Sequence, residues 1–220
     1  MAQHPLLVIR TVVSALFEEN AFIIAAADRD DCVVVDPGLE PDKIIAEVHA
    51  LGRTPAAILN THGHADHIAG NAALKAEWPD IPLVIGRGDA AKLTDATANL
   101  SAGFGLPVTS PPADRQVDEG DVLEIAGVAW TVWDTPGHSS GHVAFVALEL
   151  QPHLVLGGDV LFAGSIGRSD FPDSDSAALF ASIREKLFSL PDDAIVLAGH
   201  GPATTIGREK RTNPFVGERR

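Results

Sequence analysis

The stretch "LNTHGHADHIAG", residues 59–70, places His62, His64, Asp66 and His67 within six positions, in a chain of 220 residues with only nine histidines. Imidazole nitrogens and carboxylate oxygens suit zinc, iron or manganese, and a corner of the chain can aim four such donors at one point. The apolar run "AAILN" before the cluster reads as a buried strand, and residues 65–78 after it as a helix ended by Pro79. If the backbone leaves the strand extended, His62 and His64 point to one side.

Three further residues repeat one event, in which an apolar strand runs out and a metal-capable side chain follows. His138 lies in "WDTPGHSSGH" beyond "VAWTVW", Asp159 ends "HLVLGGD", and His200 ends "AIVLAGH". Strand ends and their loops are where a rigid scaffold presents chemistry. Seven candidate ligands are too many for one closed tetrahedral ion, which favours a catalytic centre over a metal that only staples the fold. Asp134 and His142, polar neighbours of His138, read as structural.

Other elements must position these residues. Residues 6–14, 21–27 and 32–36 are β-rich runs between polar breaks. Apolar residues at Ile44, Ile45, Val48 and Leu51 have helical spacing within 41–51, with Pro41 near the start and Gly52 as the stop. "IPLVIG" predicts a strand and residues 88–93 a short helix. Residues 94–120 predict an irregular connection, long enough to need a role such as a flap over a site. "DVLEIAG", "VAWTVWD", "HVAFVAL" and "HLVLGGD" predict four successive strands. Residues 174–190 predict an amphipathic helix capped by Ser174 or Ser176. "AIVLAG" predicts a last strand, and residues 204–211 a short terminal helix. The order predicts one α/β domain with two sheets, each followed by helices.

Hydrophobic residues make up 45% and charged residues 21%, an ordinary globular balance. No apolar run reaches the roughly 18 residues of a membrane span. The first twenty residues have no basic start and no small-residue cleavage site, so no signal peptide is read. The single Cys32 excludes an intrachain disulfide and fits a reducing compartment, so a cytoplasmic location is expected. A net charge of −14 argues against a nucleic-acid partner. Residues 208–220 hold Arg208, Lys210, Arg211, Arg219 and Arg220 against Glu209 and Glu218, a local +3 that leaves −17 elsewhere. This reads as a solvated tail or, through Arg208 and Lys210, as an anchor for a small anionic substrate.

"THGHADH", "TPGH", the strand-ending "GGD" and the final "AGH" resemble the metallo-β-lactamase superfamily over nearly the whole chain. "GSIGRSDFP" (164–172) and "LAGHGPATTIGREKRTNPF" (197–215) resemble its compact hydroxyacylglutathione hydrolase-like, or glyoxalase II-like, branch. The resemblance implies an αββα four-layer sandwich, with the site along the edge where the sheets meet. It implies a single domain over residues 1–220, without the C-terminal helical domain of larger glyoxalase II enzymes. It also implies two divalent ions, zinc, iron or manganese. His62, His64 and His138 would hold the first, Asp66, His67 and His200 the second, and Asp159 would bridge. Asp66 would also hold the attacking water as a catalytic group. Arg168 and Asp170 would pair and orient a ligand from behind.

The implied activity is hydrolysis of a small acyl thioester such as S-lactoylglutathione, to a 2-hydroxy acid and glutathione, by a hydroxide shared between the metals. A mono-iron persulfide dioxygenase using His62, His138 and Asp159 is the alternative, as is a lactone or other ester hydrolase. The chain has no tyrosine, so the tyrosine contacts to glutathione of the larger enzymes have no counterpart.

Overall fold

The computed structural model describes residues 6–218. Residues 1–5, where the stretch read for a signal peptide begins, and Arg219 and Arg220 of the basic tail lie outside the described residues. The first sheet contains β1 (Leu7–Val13), β2 (Asn20–Ala26), β3 (Asp31–Val35), β4 (Thr54–Asn60), β5 (Leu83–Gly86) and β6 (Arg115–Val117), in that spatial order. Its helices are α1 (Pro41–Leu51), α2 (Ala65–Ile68) and α3 (Asn71–Glu77). The second half supplies β7 (Val122–Ile125), β8 (Val128–Asp134), β9 (Val143–Ala147), β10 (Leu154–Gly158), the small hairpin β11 (Leu161–Phe162) and β12 (Ser165–Ile166), α4 (Ser176–Ala181), β13 (Ile195–Ala198), β14 (Thr204–Thr205) and α5 (Ile206–Thr212). The second sheet runs β14-β13-β10-β9-β8-β7.

Period-two alternation along the strands builds the layers. Phe22, Ile24, Val33, Val35 and Leu59 of the first sheet face Trp130, Val132, Phe145 and Leu156 of the second. On the outer face of the first sheet, Ile23, Val34 and Ile58 pack with Ile44, Val48 and Leu74 of α1 and α3. On the outer face of the second, Val146, Val155 and Val196 pack with Leu179, Ile183 and Ile206. Three apolar cores between four layers give the αββα sandwich. Strands β2, β9 and β10 are buried on both faces, which is why they read as unbroken apolar runs. Cys32 is buried, and burial pushes its thiol up to about 12, leaving it unreactive. Among the described residues no helix is long and apolar enough to cross a membrane.

Several elements differ from the sequence expectation. The segment 65–78 is two helices, because the Gly70 N–H donates to the Pro37 carbonyl (2.7 Å) and interrupts the helical ladder. The long connection contains β6, whose three residues are too few to show a period, and a 3₁₀ turn at Ser101–Phe104. The cap of α4 is Asp175, which accepts from the N–H groups of Ala177 (2.7 Å) and Ala178 (3.0 Å). Ser174 instead donates to the His138 carbonyl (2.7 Å), and Ser176 pairs with Ser169 (2.7 Å). Past α4 the chain continues as a π turn over Ser182–Lys186 and a 3₁₀ turn over Leu187–Ser189. Residues 204–205 pair with β13, so the last helix starts at Ile206, capped by Thr205.

Strands β3, β4 and β5 are parallel, as are β10 and β13, so their C-terminal ends collect at one edge of the sandwich. The two sheets are stitched there. The Val143 N–H donates to the Thr61 carbonyl (2.8 Å), and the Asn20 side chain donates to the carbonyls of Ala198 (2.9 Å) and Gly201 (2.8 Å).

Gly137, just before His138, has φ +136° and sits against the backbone of Leu179 in α4. A side chain there meets both strain and main chain that cannot yield. Gly137→Ala is expected to cost about 2–3 kcal/mol, lowering Tm by roughly 4–12 °C in a thermal melt. A Tm within a degree of wild type would contradict this packing.

Candidate metal centre

All seven sequence-predicted ligands meet at the sheet edge. His62 follows β4, His64 precedes α2, and Asp66 and His67 lie in α2's single turn. His138, Asp159 and His200 come from the ends of β8, β10 and β13. Three donor groups form, each with its ligand atoms within 4.8 Å of one another: His62–His64–His138, His62–His67–Asp159 and Asp66–His67–His200.

The imidazoles are aimed by what their outer nitrogens hold. His138 Nδ1 donates to the Arg168 carbonyl (2.9 Å), and His200 Nδ1 to the Phe17 carbonyl (3.1 Å). His67 Nδ1 donates to the Asp36 carboxylate (3.1 Å). Thr61 Oγ1 gives its proton to Asp36 (2.7 Å), so it accepts from His62 Nδ1 (3.1 Å). Carbonyls and carboxylates only accept, so in each case Nδ1 carries a hydrogen and Nε2 is the atom that faces inward. His64 is turned the other way, its Nδ1 2.9 Å from His138 Nε2.

The inner atoms have no partner to satisfy them. His62 Nε2, His67 Nε2 and Asp159 Oδ1 are buried and unbonded. Asp159 Oδ1 lies 3.4 Å from His67 Nε2, and Asp159 Oδ2 lies 3.4 Å from the Nε2 atoms of both His138 and His200. Asp66 Oδ2 is 3.5 Å from His200 Nε2 and 3.9 Å from His67 Nε2. Donors about 2.0–2.1 Å from a tetrahedral cation are separated by roughly 3.3 Å, so these spacings fit shared cations better than direct hydrogen bonds.

The local field divides the site. Burial and the neighbouring imidazoles hold His62 well below the usual histidine range, and burial with His138 and Lys92 pushes His64 down to about 3. Both are neutral near pH 7 and offer lone pairs. Burial opposes charge on His67 too, but Asp159, Asp66 and Asp36 hold its pKa well above the usual range. His200 is likewise raised to about 10 against its burial, by the Asp159 and Asp66 carboxylates. Asp159 stays well below the carboxylate range despite burial, because His67, His200 and His138 surround it. This half concentrates negative charge that a cation would balance.

Two acids that the sequence reading passed over hold the centre together, and a third is buried beside it. Asp36 accepts from Thr61 N–H (2.7 Å), Thr61 Oγ1 and His67, and its backbone is left-handed at φ +45°, a conformation Asp tolerates better than most residues. It is the first polar residue after "CVVV", so the strand-end rule that marked Asp159 and His200 also marks it. Asp89, buried after β5, accepts from the N–H groups of Gly63 (2.8 Å) and Gly141 (2.9 Å) and from the Ser139 hydroxyl. It thereby ties the His62–His64 loop to the His138 loop. Lys92 Nζ, 3.0 Å away, balances its charge. No local pattern distinguishes Asp89 from any other acid in a short turn. Glu19, buried beside the cluster with neither carboxyl oxygen bonded, is held by burial well above the usual range.

His142 has the structural part expected of it. It stacks on His62 (5.0 Å between centroids), and its Nε2 accepts the Asp159 N–H (3.1 Å) while Nδ1 faces Thr135 Oγ1 (2.8 Å). Gly158, at φ +46°, leaves room for the Thr61 and His142 side chains at this point.

Two expectations need correction. Arg168 and Asp170 do pair (2.9 Å), but both side chains are about two-thirds exposed (66% and 68%), and such a pair adds little. The link to the centre is the Arg168 main-chain carbonyl, and the residue it orients is His138. Arg208 and Lys210 do not line the cavity over the donors. They lie on α5, with Arg208 beside Glu209 (3.7 Å) and Lys210 held by the Leu190 carbonyl (3.1 Å) and Asp192 (3.3 Å). The cavity, of about 340 Å³, is walled in part by Asn99, Leu100, Ser101, Phe104, Leu106 and Val108, so the long connection lies against the site.

A family model described as the metallo-beta-lactamase superfamily matches residues 16–200. The chain is 37% identical over 203 residues to hydroxyacylglutathione hydrolase GloC of Haemophilus influenzae, covering 91% of this chain and 93% of that one. It superposes on BLEG-1 B3 metallo-beta-lactamase with a TM-score of 0.90 at 35% identity, covering 95% of this chain and 99% of that one. TTHA1623 in a di-iron-bound form matches with a TM-score of 0.81 at 40% identity, covering 94% and 99% respectively.

Removing the Asp36 carboxylate frees His67 and, through Thr61, His62. Asp36→Ala is expected to weaken zinc binding about 10- to 100-fold, measured by competition with a chromophoric chelator. Wild-type affinity in that variant would mean the imidazoles are aimed without it.

Proposed function

The chain belongs to the metallo-β-lactamase superfamily, and from that premise we propose that it is a two-metal hydrolase of acyl thioesters, with S-lactoylglutathione as the reference substrate. The observation that carries the reading is a pair of donor triads on either side of one carboxylate, Asp159. In it, His62, His64 and His138 would hold one divalent cation and Asp66, His67 and His200 the other, with Asp159 lying between the two triads. Nitrogen and oxygen donors suit zinc, iron or manganese, and the di-iron-bound form of TTHA1623 supports keeping iron among them. When bound, such a pair lowers the pKa of water toward neutrality and polarises a carbonyl oxygen.

The protein's own groups supply placement and proton handling. The Asp66 carboxylate, which lines the cavity with His200, turns Oδ2 toward His200 and is left with Oδ1 to orient the attacking water and take its proton. The water oxygen bonds to the carbonyl carbon, and the C–S bond breaks with its electron pair on sulfur. A free thiol has a pKa of about 8.5, so the thiolate leaves without a strong general acid. Phe171 packs edge-on against His64 (5.2 Å) and His138 (5.5 Å) and restricts both rings. The buried, unreactive Cys32 and the −14 charge support a reducing, cytoplasmic setting and a small-molecule substrate rather than nucleic acid.

A mono-iron persulfide dioxygenase would need only His62, His138 and Asp159. The gathered Asp66–His67–His200 triad favours the two-metal hydrolase. Zinc- or iron-loaded protein should release thiol from S-lactoylglutathione without consuming oxygen. His64→Ala should lower that rate roughly 100-fold or more, beyond the loss from an outer-shell partner. Oxygen uptake on a persulfide without thioester cleavage, or a wild-type rate in His64→Ala, would overturn the reading.

A further inference from the structure

The cavity over the donors is walled mainly by carbon. Leu16 and Phe17 from the β1–β2 connection face Phe104 and Leu106 from the β5–β6 connection, and Phe162 and Phe171 complete the wall. Phe17 and Phe104 meet edge to face with centroids 5.8 Å apart. Four of the nine exposed large hydrophobic side chains among the described residues therefore stand at this one opening, and Phe104 and Leu106 are each 62% exposed. Singly scattered exposed apolar residues need no explanation, but a cluster rimming a cavity marks a surface that a ligand covers.

Charge narrows the ligand. Among the described lining residues the one Arg or Lys is Arg168, and its guanidinium is bound to Asp170 and lies over the Phe171 ring (4.4 Å to the centroid). Arg208 and Lys210 are committed elsewhere, on α5. A carboxylate held against the walls of this cavity, away from the donors at its floor, would lose water and meet no Lys or Arg free of a carboxylate partner. Glutathione has two carboxylates, so a glutathionyl group is better left at the solvent side of the mouth while the acyl end enters.

Resting on the thioesterase reading above, we propose that the preferred substrate is a thioester whose acyl group is an uncharged hydrocarbon chain of several carbons, gripped between Phe17, Phe104 and Leu106. These three side chains set specificity, and the seven donors below them do not distinguish one acyl chain from another. Each methylene taken from water into such a wall should raise kcat/KM by about fourfold until the cavity is filled.

The test is a series of S-acylglutathiones, acetyl, butanoyl, hexanoyl and octanoyl, with S-lactoylglutathione beside them, cleaved by zinc-loaded protein. The proposal expects kcat/KM to rise at least about thirtyfold from acetyl to hexanoyl, with the gain largely in KM. Phe104→Ala with Leu106→Ala should flatten the series by raising KM for the long chains. Both side chains are exposed, so their removal spares the core. A second readout needs no turnover: S-hexylglutathione should bind the metal-free protein at least about tenfold more tightly than S-methylglutathione in calorimetry, and the double variant should lose the difference. A flat or falling series beside brisk cleavage of S-lactoylglutathione would overturn this inference and leave the hydrolase reading standing. No cleavage of any thioester would sink the hydrolase reading, and equal binding of the two thioethers would then sink the apolar wall as well.

Discussion

The structure depends on a set of buried lone pairs held facing one another. Unpartnered polar atoms in a protein interior are costly, and here His62 Nε2, His67 Nε2 and Asp159 Oδ1 share one small volume. Without a cation, only the attraction between His67 and Asp159 opposes that cost, and His62 Nε2 has no such partner. They are held from behind, by bonds that fix each ring's other nitrogen: Asp36 behind His67 and, through Thr61, behind His62, the Arg168 carbonyl behind His138, and the Phe17 carbonyl behind His200. Such bonds fix ring orientation and tautomer together, so the centre is preorganised by elements that do not touch a ligand.

Those bonds hold only if the two sheets keep their relative position. Four of the seven donors follow a strand of the first sheet and three follow strands of the second, so slippage between them would pull the triads apart. The inter-sheet core around Trp130 and Phe145 supplies the gross attraction. Directional contacts at the edge supply the alignment. Asp89 joins the His62–His64 loop to the His138 loop, Asn20 clasps the end of β13, and Val143 bonds to Thr61. Above them, two connections that contribute little to the core carry the apolar side chains at the cavity mouth. The division lets substrate preference change with the loops while the donors below stay fixed.

Much of this was legible in the sequence because strand ends announce themselves. Apolar runs in β4, β8, β10 and β13 each stop within a few residues of a ligand, and α1 showed its spacing, its proline and its terminal glycine. What stayed hidden depended on partners distant in sequence. The break before Asn71 comes from a bond to Pro37, and β6 exists through pairing with β5. Asp89 acts on residues 26 and 52 positions away. Arg208 and Lys210 suggested an anion site by charge alone, but the packing of α5 commits Lys210 to Asp192. Composition cannot show which way a helix turns its charged face.

The central claim is that seven side chains surround two cations and share Asp159 between them. Anomalous diffraction from metal-loaded crystals, collected at the zinc, iron and manganese edges, tests it most directly. The account predicts two peaks about 3.5–4 Å apart, one bounded by His62, His64 and His138, the other by Asp66, His67 and His200, with Asp159 touching both. A single peak with the second triad bare, or no peak among these residues, would contradict it.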